Sequence, residues 1–343
     1  MTLTLTVNGT PYRGWKTIAI DRSIETLSGG FQLGVSERWE DGATPRPIQS
    51  GDECTVKIDN DLVITGYVNA VNPSFDDKSH TLEVSGRDKA GDLIDCSAIN
   101  APGQWNNQKL EKIASAIAAP FGISVSAEVN TGEAFKKFSI EQGETAYEAI
   151  HRLCKLRAVL CISDRQGGLL LTAAGNSRAA TALVQGENIL GGTGNEDDRD
   201  RFSTVYVKGQ TQGDDNKTGA VITKCKGRAT DSEITRYRPL LVVAEGQADS
   251  KQCQERAEWV IRNRKGKSKS FRLTVPGWRQ GNRASAPLWD INTLVYVKCP
   301  FFRMNGVYLI AGVRYTLNGQ GGHITELTVV EKSAFELVRE LSS

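Results

Sequence analysis

Two stretches of this chain pass through the same events in the same order. They are "GDECTVKIDNDLVITGYVNAVNPSFDDKSHTLEVSGRDK" (51–89) and "INTLVYVKCPFFRMNGVYLIAGVRYTLNGQGGHITELTVVEK" (291–332). Each has an alternating run ending in Val-Lys, at Val56-Lys57 and Val297-Lys298. Each turns and places a Gly one or two residues before a Tyr: Gly66 before Tyr67, and Gly306 before Tyr308. Each reaches a Val (Val71, Val313), crosses a polar loop, and resumes on a His (His80, His323) that opens another alternating run. Period-two alternation sends successive side chains to opposite faces, so both stretches predict strands with one buried face. Matching them takes gaps of a few residues, and two unrelated β meanders with similar Gly and Val use also fit the pattern. A true duplication gives two similar β domains per chain. Oligomers of one chain usually close with point-group symmetry, so three copies would make a ring of six such domains. A ring of that kind matches a sixfold tube at one end and a threefold object at the other.

The remaining sequence divides around this repeat. A chain of 343 residues is too long for one ordinary core. Residues 1–98 read as a β-barrel-like domain with strands at Thr2–Val7, Thr17–Asp21, Phe31–Ser36, Glu53–Asp59, Leu62–Ala70 and His80–Gly86. "ERWEDGATPRPIQSGD" is a long loop. Residues 99–180 read as a small α/β domain. There Leu110, Ile113, Ala114 and Ile117 have helical spacing, and the helix stops at Pro120 and Gly122. Strands are expected near Ile123–Ala127 and Phe135–Ile140. In "GETAYEAIHRLCKLR", Thr145 N-caps a helix and Glu148 completes a capping box. Tyr147, Ile150, Leu153 and Cys154 form its apolar stripe, and "AVLCIS" and "LLLT" follow as a hairpin. Residues 181–343 read as the second β-barrel-like domain, with strands at Phe202–Gly209, Glu233–Val243, Phe271–Val275, Thr293–Cys299, Val307–Leu317 and Ile324–Glu331. One long helix (248–265), a flexible loop (210–219) and a short helix after Ser333 complete it. The expected fold is α+β, mostly β: two similar tube-like β domains flanking a small α/β domain.

Composition excludes several function classes. A formal net charge of +2 carries no global bias toward nucleic acid. No stretch approaches 18 apolar residues, so no stable membrane insertion is expected. "MTLTLTVNGTPYRGW" alternates like a strand and has no basic start or apolar core, which argues against a signal peptide. Seven cysteines, none in a CxxC pair, read as reduced, buried thiols of a protein folded in a cytoplasm.

No motif specifies chemistry. His80, His151 and His323 lack partners at metal-ligand spacing. "NEDDRD" (195–200) lacks the spacing of a calcium loop, and its arginines offset its charge. Asp88, Asp92 and Asp95 fit turns and a cap at a domain boundary. The basic run Arg262, Arg264, Lys265, Lys267 and Lys269 suits the C-terminal end of a helix dipole. No catalytic, cofactor or metal residue is expected. The candidates for a subunit interface are Phe301, Phe302 and Met304 near a predicted turn, and Trp278 and Trp289 flanking a Gly/Arg-rich loop, a place where large aromatics pack a domain corner or anchor a partner.

Four stretches in order resemble the baseplate hub proteins of contractile phage tails, the phage Mu tail hub type in particular. They are "RSIETLSGGFQLGVSERW" (22–39), "VITGYVNAVNPSFDDKSHTLEVSGRDKAGDLIDCSA" (63–98), "FSIEQGETAYEAIHRLCKLRAVLCISD" (138–164) and "ERAEWVIRNRKGKSKSFRLTVPGW" (255–278). The resemblance implies a homotrimer whose two tube-like domains per chain form a pseudo-sixfold ring. Such a ring would join the tail tube protein to the central spike protein, contact baseplate wedge proteins and let DNA pass non-specifically. It implies a place in the virion baseplate after assembly in the bacterial cytoplasm. It brings no catalytic residues. The "GET" helix also resembles peptidoglycan-binding LysM modules, so a cell-wall-binding or wall-degrading tail protein is the alternative. A spike-loading component of a phage-derived secretion system shares the same fold.

Overall fold

The alternating runs become strands throughout the first 88 residues. The structure, a computed structural model, describes residues 1–37, 47–77, 80–175, 177–210, 225–247, 250–281, 283–318 and 322–336. The first unit holds β1 (Leu3–Val7), β2 (Thr10–Tyr12), β3 (Thr17–Ser23), β4 (Gly30–Glu37), β5 (Glu53–Ile58), β6 (Asp61–Phe75) and β7 (His80–Asp88). In β5, Cys54, Val56 and Ile58 are buried while Glu53 and Lys57 face out, as alternation requires. Most of the expected loop after β4 (38–46) lies outside the described residues.

The middle unit holds α1 (Ala90–Asp95), β8 (Gln104–Gln108), α2 (Leu110–Ala118), β9 (Val125–Ala127), β10 (Phe135–Ser139), α3 (Ala146–Arg157), β11 (Leu160–Ser163) and β12 (Leu169–Thr172). The capping box at α3 is present. The Glu148 amide donates to Thr145 Oγ1 at 3.2 Å, and the Thr145 amide donates to Glu148 Oε2 at 2.8 Å. Leu153 and Cys154 are buried in this unit's own core with Leu110, Ile113, Ile117 and Leu171. Thr145→Ala should destabilise this unit by about 1 kcal/mol, and Thr145→Ser should restore most of the loss, as read by urea unfolding.

The rest of the chain continues with β13 (Ser177–Arg178), β14 (Leu183–Val184), β15 (Gly191–Glu196), β16 (Thr204–Gln210), β17 (Cys225–Thr230), β18 (Pro239–Gln247), α4 (Ser250–Lys267), β19 (Lys269–Pro276), β20 (Thr293–Cys299), β21 (Met304–Asn318) and β22 (Gly322–Val330). The span 181–343 contains two cores. Val205 and Val207 pack with Cys253, Ala257 and Val260 of α4 in a small β16–β18/α4 module. Phe271, Leu273, Val297, Leu309 and Leu327 belong instead to the large sheet's core. The strand expected from Glu233 starts at Pro239, and the residues before it form a turn in which buried Asp231 and half-exposed Glu233 bind Arg201. Residues 211–219 of the expected flexible loop and the tail beyond 336 lie outside the described residues. Cys253 is disulfide-bonded, against the expectation of thiols throughout. No sequence spacing marks it out.

The repeat is geometric. Strands β5, β6 and β7 have 6, 15 and 9 residues, and β20, β21 and β22 have 7, 15 and 9. Both long strands shift register against the strand that follows them, β6 between Val68 and Ala70 and β21 between Ile310 and Gly312. Superposing these two bulges sets Val71 on Val313 and Phe75 on Leu317. Phe75 pairs with His80 and Leu317 with His323, so the two histidines coincide as well. The match extends outward. Phe31, Leu33 and Val35 of β4 correspond to Phe271, Leu273 and Val275 of β19, and β3 corresponds to β15 through their pairings with those strands.

The two units do not close as separate barrels. Fourteen strands form one open sheet whose main path runs β15-β19-β22-β21-β3-β4-β7-β6-β5-β1-β2, with β20, β13 and β14 branching from β21. The joint between the units is the second half of β21. It overruns β20 and pairs antiparallel with β3, from Gly312 opposite Ser23 to Leu317 opposite Ile18. One apolar core consequently spans both units, from Leu5 and Ile20 to Val313 and Leu327.

Candidate assembly interface

The five interface candidates separate sharply by burial. Trp278 is fully buried: its indole N–H donates to the Thr316 carbonyl at 3.0 Å, and its ring meets His323 edge-on at 4.5 Å. Trp289 is buried too. Its amide donates to the Trp278 carbonyl at 3.1 Å, and its carbonyl accepts the Tyr315 hydroxyl. The loop between them folds back on itself and turns both indoles into the core. Met304 opens β21 opposite Cys299 and alternates inward, also buried. These three are core residues with no accessible surface for a partner. Phe302 is half-buried, 5.3 Å from the Phe271 ring, and covers the Gly192 and Gly194 positions of β15. Phe301 stacks edge-on against Phe302 at 5.0 Å and stays 77% exposed. Of the five, Phe301 alone is a fully surface-exposed side chain.

Other exposed features carry no clear sequence signature. Phe75 at the end of β6 is 81% exposed, and Asn72, Pro73 and Ser74 before it are at least partly exposed as well. All six residues of β15 are exposed, and among the described strands β15 has a neighbour on one side only. Tyr296 and Val307 form an exposed cross-strand pair on the β20–β21 hairpin. Alternation cannot reveal β15, because "GGTGNE" has no large side chain to alternate. Its place in the repeat is the signal that could have found it.

The charged side chains bind the units together. Asp290 accepts from Arg22 at 2.6 Å and from Arg165 at 2.7 Å, while Arg22 also reaches the Ser163 carbonyl at 2.9 Å. This cluster ties the first unit, the middle hairpin and the C-terminal sheet at one point. Arg279 binds Asp59 at 3.0 Å and Asp61 at 2.7 Å, clamping the β5–β6 turn to the C-terminal loop. Asp88 is buried and accepts from the Gly29 amide at 2.7 Å and Ser28 Oγ at 2.8 Å; burial pushes its carboxyl above the usual range. Asp95 pairs with Arg87. In the 195–200 run, Asp197 pairs with Arg199 and Asp198 with Arg201. Of the basic run, Lys265 pairs with Glu233 and Lys269 with Glu196. His151 stacks on Tyr147 at 5.2 Å, and His80 lies 6.0 Å from the Phe75 ring. Among the described residues no group of three or more His, Cys, Asp or Glu side chains could hold a metal ion. No described helix is long and apolar enough to cross a membrane.

Duplicated sheet units, a β15 edge with one neighbour among the described strands, and surface aromatics are the features this face presents. Comparison with known proteins gives the class as phage tail baseplate. Family models match in series: Mu phage baseplate assembly protein GpP-like, N-terminal (2–88); baseplate hub protein gp44-like, second domain (90–173); tail protein NMB1110-like, third domain (201–261); and Mu phage baseplate assembly protein GpP, fourth domain (249–338). The chain belongs to the phage Mu baseplate hub protein family. It is 36% identical over 343 residues to the baseplate hub protein gp44 of Escherichia phage Mu, spanning 97% of this chain and 89% of that protein. The 43 kDa tail protein of prophage MuSo2 from Shewanella oneidensis superposes with a TM-score of 0.87 at 37% identity, covering 98% of this chain and all of that one. A tail protein from Neisseria meningitidis shares the fold, with a TM-score of 0.81 at 24% identity over 98% of this chain and 99% of the other.

Proposed function

We propose that this chain is the structural hub of a contractile phage tail baseplate, acting as a homotrimer. Three copies form a ring of six sheet units around a channel. The units of 1–98 and the large-sheet part of 181–343 build the ring, and 99–180 is appended to it. The ring joins a sixfold tail tube protein to a threefold central spike protein and contacts baseplate wedge proteins. DNA crosses the channel without sequence recognition. The protein works in the virion baseplate, assembles in the host cytoplasm, and needs neither catalysis nor a cofactor.

The observation that carries this reading is the duplication. Two units of one chain share strand lengths, bulge positions and sheet order, and they already meet through β21 and β3. We read that joint as one step of a rotation that the six units of a trimer complete. Negative-stain imaging of the concentrated protein tests it: rings with a central hole and six outer lobes are expected, and an excess of compact single particles at all concentrations would contradict it.

One observation keeps the glycan-binding alternative open to test. A cleft of about 480 Å³ beside α3 is lined by Tyr147, His151, Lys155, Arg256, Trp259 and Lys267 among others. Aromatic walls suit a sugar ring, but Glu25 is the one carboxylate among its lining residues, which leaves no acid–base pair for hydrolysis. Co-sedimentation with peptidoglycan separates the readings. The hub reading expects the protein in the supernatant, and a pellet lost on Tyr147→Ala would favour glycan binding.

A further inference from the structure

We infer that Cys154 and Cys161 form a paired-thiol site that a hydroperoxide entering the cleft between α3 and α4 converts into a disulfide. The inference concerns the middle unit of a single chain and is independent of how copies assemble. Both residues are free thiols, and both belong to that unit's core. The fold brings them together within a few residues. α3 ends on Ala158, whose left-handed backbone (φ 56°) reverses the chain. The Val159 amide then donates to the Cys154 carbonyl at 3.0 Å, which lays the start of β11 back along the last turn of the helix. Val159 and Cys161, two residues apart, both point into the core that holds Cys154. The two thiols hydrogen-bond, and that bond foremost, then burial, holds the Cys154 thiol well above its usual range. Tyr147, two turns earlier on α3, is close enough to feel both sulfurs. Burial first, then Cys161 and Cys154, push its hydroxyl up to about 12.

The two sulfurs differ in access. Cys161 is among the residues lining the cleft of about 480 Å³ beside α3, with Tyr147, His151 and Lys155, whereas Cys154, 1% exposed, is closed off in the core. A small oxidant therefore meets Cys161 first. Lys155, Arg256 and Lys267 line the same cleft against one carboxylate, Glu25, an environment that favours an anionic leaving group. The other free thiols stand elsewhere: Cys54 and Cys299 in the large sheet's core, and Cys96 exposed. The Cys161 thiolate attacks the O–O bond of the peroxide and takes one oxygen as a sulfenic acid. The other oxygen leaves as hydroxide and collects the thiol's proton as water. The Cys154 thiolate then attacks the Cys161 sulfur. The S–S bond forms, the S–O bond breaks, and the departing hydroxide takes the Cys154 proton as a second water. The two thiols lose two electrons, and the peroxide gains them. The new bond fastens the end of α3 to β11 and restrains the unfolded chain, so the oxidised middle unit resists unfolding better.

Peptide mapping of the full chain tests the site. Trypsin cuts after Arg152, Lys155, Arg157 and Arg165, which puts Cys154 on fragment 153–155 and Cys161 on fragment 158–165. The Cys96→Ser chain, which lacks the exposed thiol, is treated with hydrogen peroxide while folded, then alkylated in denaturant and digested without reductant. The two fragments should appear joined, lighter than their sum by two hydrogens, and should separate on reduction. The urea midpoint should rise on oxidation and fall back on reduction. In Cys154→Ser, dimedone should label Cys161, trapping a sulfenic acid that has lost its partner, and peroxide should leave the midpoint unmoved. The parent pair carries the main readout, so a variant that folds poorly leaves the test intact. Recovery of the two fragments as separate alkylated peptides from the folded chain, or their joining only in urea, would overturn the inference and leave packing as the pair's role. Dimedone on Cys154 in Cys161→Ser, with none on Cys161 in Cys154→Ser, would overturn Cys161 as the point of entry.

Discussion

Trp278→Ala is expected to lower the stability of the single chain by about 3–5 kcal/mol, the cost of deleting a large buried aromatic. The indole fills the corner between the 276–289 loop and β21, bonded to the Thr316 carbonyl and in edge contact with Tyr315 and His323. Nothing nearby of similar volume can collapse into its place without moving Tyr315, itself buried. Trp278→Phe retains most of the ring and loses the N–H bond, so it should cost less. Denaturant unfolding of the isolated protein decides. If Trp278 served a subunit contact, the alanine variant would unfold normally and fail only in assembly. A normal unfolding midpoint would therefore reinstate the interface role that its burial denies.

Arg201→Met should destabilise the β16–β18/α4 module by about 3–5 kcal/mol, because it strands a buried carboxylate. Arg201 and Asp231 are both buried and bonded at 2.7 Å, with Glu233 at 2.8 Å and Asp198 at 3.1 Å on the rim. Adding Asp231→Leu removes the orphaned charge and should recover most of the loss, since apolar replacement of a buried pair is often neutral or better. The same network sets an acid limit. Lys265 foremost, then Arg201, hold Glu233 down to about 2. The folded form thus binds that proton less tightly than the unfolded form. The stabilisation is present above the ordinary value of 4.5 and drains away as pH falls toward 2. Asp88 works in the opposite sense. Burial raises its folded value, so its contribution is full below 3.8 and is lost as pH rises through that raised value. Acid melting followed by tryptophan fluorescence should show the module of α4, through Trp259, unfolding at higher pH in Arg201→Met than in the parent.

The elements legible in the sequence were those whose side chains alternate or cap. β5, β7, β20 and β22 each have one buried face, and α3 announces itself through Thr145 and Glu148. The duplication was legible for the same reason, through Val71, Val313, His80 and His323. What stayed hidden depends on contacts between distant segments. β15 is glycine-rich, with no face of its own to bury. The closure expected of two barrels gave way to a shared sheet, because β21 is long enough to pair with both β20 and β3. For Trp278 and Trp289 a Gly- and Arg-rich loop fits a packed corner as well as a partner anchor, and the fold takes the corner; Met304, near a predicted turn, alternates inward at the start of β21. Phe301 is on the surface, and no pattern marks Phe75, which stands at the end of an otherwise polar run.

Sedimentation equilibrium over a wide concentration range tests the central claim most directly. The account predicts a reversible species of three times the 37.4 kDa chain mass, growing with concentration and with no larger plateau. A single 37.4 kDa species at every concentration, or a closed assembly of any other number, would contradict it.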